Sequence, residues 1–147
     1  MKISTKGRYG VRFMLDLAVH GKEGVVTLKA VARRQQISEK YLWHVVTRLK
    51  SAGLIAATVG AKGGYTLVRD PAKVTLKDIL DPLEGDCALV KCTKRASACS
   101  RSSACVAREI WQEVSRALVQ AMETITLKTM MEKYSAKQAK TTLTYNI

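Results

Sequence analysis

No apolar run in this chain approaches the ~20 residues that a membrane-spanning helix needs, so a helical span is excluded. The opening stretch MKISTKGRYGVRFMLDLAV does not read as a secretory leader. Arg12 and Asp16 break its apolar run, and no small-residue cleavage site follows cleanly. The expectation is a cytoplasmic protein that makes no membrane contact. No nucleophile stands beside a base, no glycine loop is shaped for phosphates and no carboxylates are paired, so nothing indicates an enzyme. There is no internal repeat. Acidic residues are scarce: 12 Asp and Glu stand against 25 Lys and Arg, a formal charge of +13. A chain this basic usually meets a polyanion, with nucleic acid the first candidate and a generally basic, solvated surface the alternative. Cysteine is missing everywhere except between Cys87 and Cys105.

What is present suffices for one compact domain, or a small domain with an added dimerisation element: 147 residues, 47% of them hydrophobic. The first helix is expected over Lys6 to His20. Val11, Met14, Leu15 and Ala18 form one apolar face and Phe13, Leu17 and Val19 a second, so it should be buried on more than one side. Gly21 and Gly24 end it. Thr27 caps a second helix, LKAVARR, and Ser38 a third, EKYLWHVVTRLKSA, stopped by Gly53. In the third, Leu42, Val45, Val46 and Leu49 make one buried stripe. Two β-like runs, LIAATV and YTLV, are joined by GAKGG, whose glycines suit a hairpin tip. Helices with a tight turn followed by a hairpin read as a winged helix-turn-helix, a mainly α fold with a small β wing.

Beyond Pro71, Thr75 and Asp78 offer a capping box for the short helix LKDILDPL. A long amphipathic helix is expected from about Val106 to Thr124. Ile110, Val114, Leu118, Ala121 and Ile125 line it, with Trp111 and Met122 beside them. A second copy of the chain is the simplest cover for that stripe, giving a homodimer; packing on its own domain is the alternative. LKTMMEKYS reads as another short helix, and the rest as a tail. The expected division is 1–84 for DNA binding, 85–105 for a cysteine loop, 106–134 for dimerisation and 135–147 for the tail.

The third helix can lead with its N-terminus into a major groove about 12 Å wide. Lys40 and His44 are candidate base or phosphate contacts, and Thr47 can hydrogen-bond a phosphate. Ser38, Tyr41 and Arg48 join them on the same helix. Trp43 is unexpected on a groove-facing surface, and contact with the wing or first helix is the preferred reading for it. Lys62 at the wing tip can reach a phosphate or the narrow groove. Ser4, Thr5, Lys6 and Arg8 flank the start of the first helix, where backbone N–H groups and cations suit a phosphate. The partner implied is double-stranded DNA.

The cysteines follow the spacing C-x4-C-x6-C-x5-C in a stretch with almost nothing to bury. In a reducing compartment such a cluster reads as metal-binding or redox-sensing rather than as a disulfide frame. Thiolates suit iron–sulfur clusters and zinc, but the paired C-x2-C knuckles of a zinc ribbon are absent. Lys91, Lys94, Arg95 and Arg101 favour thiolates and offset a cluster's negative charge. An iron–sulfur cluster, metal-free thiol sensing and zinc remain open, in that order.

MKISTKGRYG, QQISEKYL, LKSAGLI and GAKGGYTL together resemble the IscR-type regulators over Met1 to about Met130. The resemblance implies a winged-helix homodimer on a pseudo-palindromic operator, with the helix from Val106 as the dimer helix. It also implies that Cys92, Cys99 and Cys105 are cluster ligands. A histidine completes the site in the [2Fe–2S] regulator, and a partner carboxylate often does in related members; the matching residues here are Arg108 and Arg8, which cannot ligate. Cys87 is therefore the candidate fourth ligand, with [2Fe–2S] ahead of [4Fe–4S]. Gln36 replaces a frequent family glycine. Val59 and Trp43 stand where the iron–sulfur regulator has an arginine and a glutamate, so a known operator does not transfer. The expected function is a DNA-binding regulator that senses iron–sulfur or redox status. The alternative on the same fold is a cofactor-free regulator of cysteine metabolism, working through thiols or a partner protein.

Overall fold

The computed structural model describes residues 3–85 and 88–145. Helix α1 (Thr5–His20) runs through the middle of the core. Its Phe13, Met14 and Leu17 are essentially sealed from solvent, while Val11 and Leu15 on its flank are partly covered, so it is buried on more than one side. Its end is set by Gly21, whose N–H bonds the Leu17 carbonyl. Thr27 caps α2 (Leu28–Gln35) by accepting from the Ala30 N–H at 3.1 Å. Ser38 caps α3 (Glu39–Ser51) in the same way through the Tyr41 N–H at 3.2 Å. Each such cap contributes about 1 kcal/mol.

Between α2 and α3 the chain turns at Gln36, in the left-handed region with φ 54° and ψ 47°. The Ile37 N–H reaches back to the Ala32 carbonyl at 3.0 Å and the Ile37 side chain is buried, so the turn is closed by a backbone bond and an apolar contact. Those two gains outweigh the roughly 1–2 kcal/mol that a left-handed non-glycine residue costs.

Strands β1 (Ile55–Thr58) and β2 (Gly64–Leu67) pair antiparallel with Ile55 opposite Leu67 and Thr58 opposite Gly64. Val26 adds a third pairing: its N–H and carbonyl both bond Tyr65, at 3.0 and 2.8 Å. Gly64 permits this approach, because a Cβ there would lie 2.7 Å from the Val26 carbonyl oxygen. Helix α4 (Leu76–Glu84) begins with the expected reciprocal cap between Thr75 and Asp78, and buries Ile79, Leu80 and Leu83. Gly10 lets Leu83 lie directly against α1, where a Cβ would come within 2.0 Å of the leucine methyl.

A single turn, α5 (Lys91–Lys94), and a short 3-10 turn carry the chain to α6 (Val106–Thr124). The backbone then returns to the start of α4: Leu76 N–H bonds the Ile125 carbonyl, and Leu127 N–H the Val74 carbonyl, both at 2.8 Å. Helix α7 (Leu127–Tyr145) follows, with Leu127 fully buried. It is much longer than the short helix expected over LKTMMEKYS, and the stretch expected as a tail continues it to Tyr145. Met122 also differs from expectation: it turns away from the exposed stripe and is buried, at 4% exposure.

One polar group belongs to this core. Asp16, 3% exposed, accepts from Arg34 Nε at 3.0 Å and from Gln35 Nε2 at 2.9 Å, tying α1 to α2. The hydrogen bond to Asp16 raises the Arg34 pKa above its ordinary value, against the opposing effect of burial. Arg12 Nε closes the cluster on Gln35 Oε1 at 3.1 Å.

Candidate nucleic-acid interface and cysteine loop

The four apolar residues of α3 face the core, which leaves Lys40, Trp43, His44, Thr47 and Arg48 exposed along its outer side. Tyr41 sits between the two sides. Its ring meets Tyr9 edge-on at 5.3 Å, bracing α3 against α1. Trp43 flanks a groove between α3 and the hairpin, shared with Thr47, Ala57 and Tyr65. It nevertheless stays 55% exposed, with its ring edge-on to His44 at 5.4 Å, so contact with the wing does not bury it. Thr47 Oγ1 donates to the Trp43 carbonyl at 2.8 Å, so offering that proton to a phosphate requires a rotation of the hydroxyl. At the wing, Lys62 is exposed and Val59 stands 96% in solvent beside it.

The start of α1 is arranged otherwise than expected. The Ser4 hydroxyl accepts from the Gly7 N–H at 3.2 Å and donates to Glu84 Oε1, which also receives the Ser4 N–H at 3.2 Å. A carboxylate of the protein thus lies at the helix N-terminus proposed for a phosphate, where the macrodipole favours negative charge. Gly7 makes room for it: a Cβ there would fall 2.2 Å from Glu84 Oε1. Ser4 is drawn inward by this contact. Arg8 remains exposed, donating to Thr5 Oγ1 at 3.0 Å, and Lys6 is half-buried. Glu84 went unnoticed in the sequence because it lies 80 residues from its partner and no local pattern marks it.

In the loop, Cys92 and Cys105 are half-buried and Cys99 is exposed, all three as free thiols. Cys87 lies outside the described residues. Among the described residues no three ligating side chains converge into a metal-holding group. The loop is held by short-range turns, such as Ser102 N–H to the Cys99 carbonyl at 3.1 Å, and no side chain between residues 88 and 105 is fully buried. A longer tie comes from Arg108, whose Nε donates to the Cys92 carbonyl at 2.8 Å, fastening α5 to the first turn of α6. Soft thiols on an exposed backbone beside Lys91, Arg95 and Arg101 are a donor set that fits a thiophilic metal centre.

Helix α6 is two-sided. Met122 packs inward, while Ile110, Trp111 and Val114 are 50%, 44% and 45% exposed. Ile125 and Ala121 are exposed on the same outer side and Leu118 is half-buried at its edge.

The family model described as Rrf2, iron-dependent transcriptional regulator, matches residues 3–133. The chain belongs to the Rrf2 family. Protein rrf2 of Nitratidesulfovibrio vulgaris is 39% identical to this Rrf2 member over 135 residues, 92% of this chain and 90% of the relative. The solved structure of CymR, the global cysteine regulator of B. subtilis, superposes with a TM-score of 0.76 at 34% identity, covering 90% of this chain and 98% of CymR. T. potens IscR gives 0.76 at 36% identity, covering 94% and 91%. The Rrf2 member is therefore a winged-helix, DNA-binding transcriptional regulator rather than an enzyme. No helix among its described residues is long and apolar enough to cross a membrane.

Proposed function

We propose that this regulator binds double-stranded DNA as a homodimer and adjusts that binding to iron–sulfur or redox status through its cysteine loop. The observation that carries the reading is the loop itself: three thiols on a backbone with no core of its own, joined to the head by α4 and to the exposed α6 stripe by Arg108. Cys92, Cys99 and Cys105 would hold an iron–sulfur cluster, with Cys87 as fourth ligand and [2Fe–2S] ahead of [4Fe–4S]. Bound there, such a cluster supplies an oxidisable one-electron centre. The chain's part is to bring the sulfurs together, so that binding orders the loop. Lys40, His44 and Arg48 on α3, with Lys62 on the wing, would contact DNA. Thr5, Lys6 and Arg8 would meet the flanking backbone. A second copy would cover Ile110, Trp111, Val114, Leu118, Ala121 and Ile125, and its two-fold symmetry suits a pseudo-palindromic operator.

Protein purified without oxygen should be coloured, with iron and sulfide in comparable amounts. Replacing Cys92, Cys99 or Cys105 by Ser should remove both. If Cys87→Ser keeps the native spectrum and stability, the four-cysteine site is wrong and the three-cysteine site stands. Lys40→Ala with His44→Ala should weaken specific binding to a duplex selected from random sequences and leave the dimer intact; unchanged binding would mean α3 is not the reading helix. The likeness to CymR supports a second reading, metal-free thiol sensing in cysteine metabolism. In that case protein lacking iron binds DNA fully, and a mild oxidant alone changes the affinity.

A further inference from the structure

Resting on the DNA-binding reading above, we propose that Trp43 recognises the 5-methyl group of a thymine in the major groove, making an apolar contact the main source of specificity at that base pair. The outer side of α3 offers few groups able to read base edges by hydrogen bonding. From Glu39 to Thr47 it exposes Glu39, Lys40, Trp43, His44 and Thr47, with no Arg, Asn or Gln among them. Bidentate recognition of guanine or adenine relies on those three types and on Lys. Lys40 is a single mobile cation, and the Thr47 proton is committed to the Trp43 carbonyl.

Trp43 is the largest side chain on this surface and is 55% exposed, although a groove that could shelter it opens alongside, between α3 and the hairpin. His44 meets its ring edge-on at 5.4 Å, and both side chains stay exposed on the outer side of α3. An indole placed in this way at the leading half of a groove-entering helix exposes apolar surface to the floor of the groove. The one apolar group there is the thymine methyl. The surrounding cations, Lys40, Arg48 and Lys50, draw the helix to the phosphates but do not distinguish one base from another.

The test removes the methyl alone. A duplex is selected from random sequences with the native protein, and thymines in each half-site are replaced singly by deoxyuridine, which keeps every hydrogen-bonding group. At one thymine per half-site the native protein should lose about four-fold in affinity, the worth of one buried methyl group. Trp43→Ala should bind the thymine and deoxyuridine duplexes equally, and Trp43→Phe should keep most of the difference. If a cytosine is placed there, 5-methylcytosine should bind better than cytosine, which separates the methyl from the rest of the base. The proposal is overturned if native protein binds every deoxyuridine duplex as well as the parent, or if Trp43→Ala retains the native preference. Failure of the DNA-binding reading is separate: Lys40→Ala with His44→Ala would then leave binding to the selected duplex unchanged.

Discussion

Up to Glu84, helices and hairpin share one core: eighteen of the buried hydrophobic residues, from Phe13 to Leu83, lie in that stretch. Beyond it, among the described residues, only Met122 and Leu127 are buried hydrophobics, and of the two Leu127 joins that core. The first region closes on itself. The second carries a thiol loop with no core and a helix with an uncovered apolar side. Burying apolar area stabilises by about 25 cal/mol per Å², so the head already holds most of the folding energy available to a single chain. The loop and the stripe would gain more from the metal and the second copy proposed above. On the function proposed above, such a division would let the loop respond without unfolding the DNA-binding head.

The strongest attempt to break that comparison is made on α6. Ile110→Glu with Leu118→Glu should raise the dissociation constant of the proposed dimer by on the order of a thousand-fold, since a central interface anchor contributes about 2 kcal/mol or more. Sedimentation would show monomers, while the head's denaturation midpoint should hardly move. Equal loss of both would mean the two regions fold as one unit. In the head, Leu42→Ala removes a fully buried side chain from α3 and should cost about 2–5 kcal/mol in chemical denaturation. Iron content per folded protein should stay as in the native chain. Arg34→Ala should cost about 3 kcal/mol, because it leaves the buried Asp16 carboxylate with Gln35 but without a compensating charge. Asp16→Ala should cost less, since the Arg34 side chain is 29% exposed and can regain water. The smallest effect is expected at Gln36→Gly, a gain of about 0.5–1 kcal/mol from relieving the left-handed residue, less the entropy glycine adds to the unfolded chain.

Local chemistry made much of the head legible in advance. Thr27, Ser38 and the Thr75–Asp78 pair each cap the helix they were expected to start, because a cap is decided within four residues. The α3 stripe and the bounds of α6 followed from apolar spacing for the same reason. Distance in sequence hid the rest. Asp16 looked like a polar break in an apolar run, and only its pairing with Arg34, eighteen residues on, explains its burial. The Ser4–Glu84 contact has no signature at all. The end of α7 lies beyond the expected boundary because AKQAKTTLTY has good helix formers in AKQAK but no apolar stripe, and then three β-branched threonines. For the site, the thiols and the outer residues of α3 were visible as residue types, but the exposure of Trp43 depends on tertiary packing.

The Glu84 carboxylate has one more consequence. It is the last residue of α4, followed by Gly85 with φ 81°, and then the chain leads into the thiol segment. A helix end carries roughly half a positive charge, and Glu84 masks it at the start of α1. Removal of the carboxylate, as in Glu84→Ala, would unmask that charge next to Lys6 and Arg8. The surface potential at the first helix is therefore set in part by a side chain eighty residues further along the sequence.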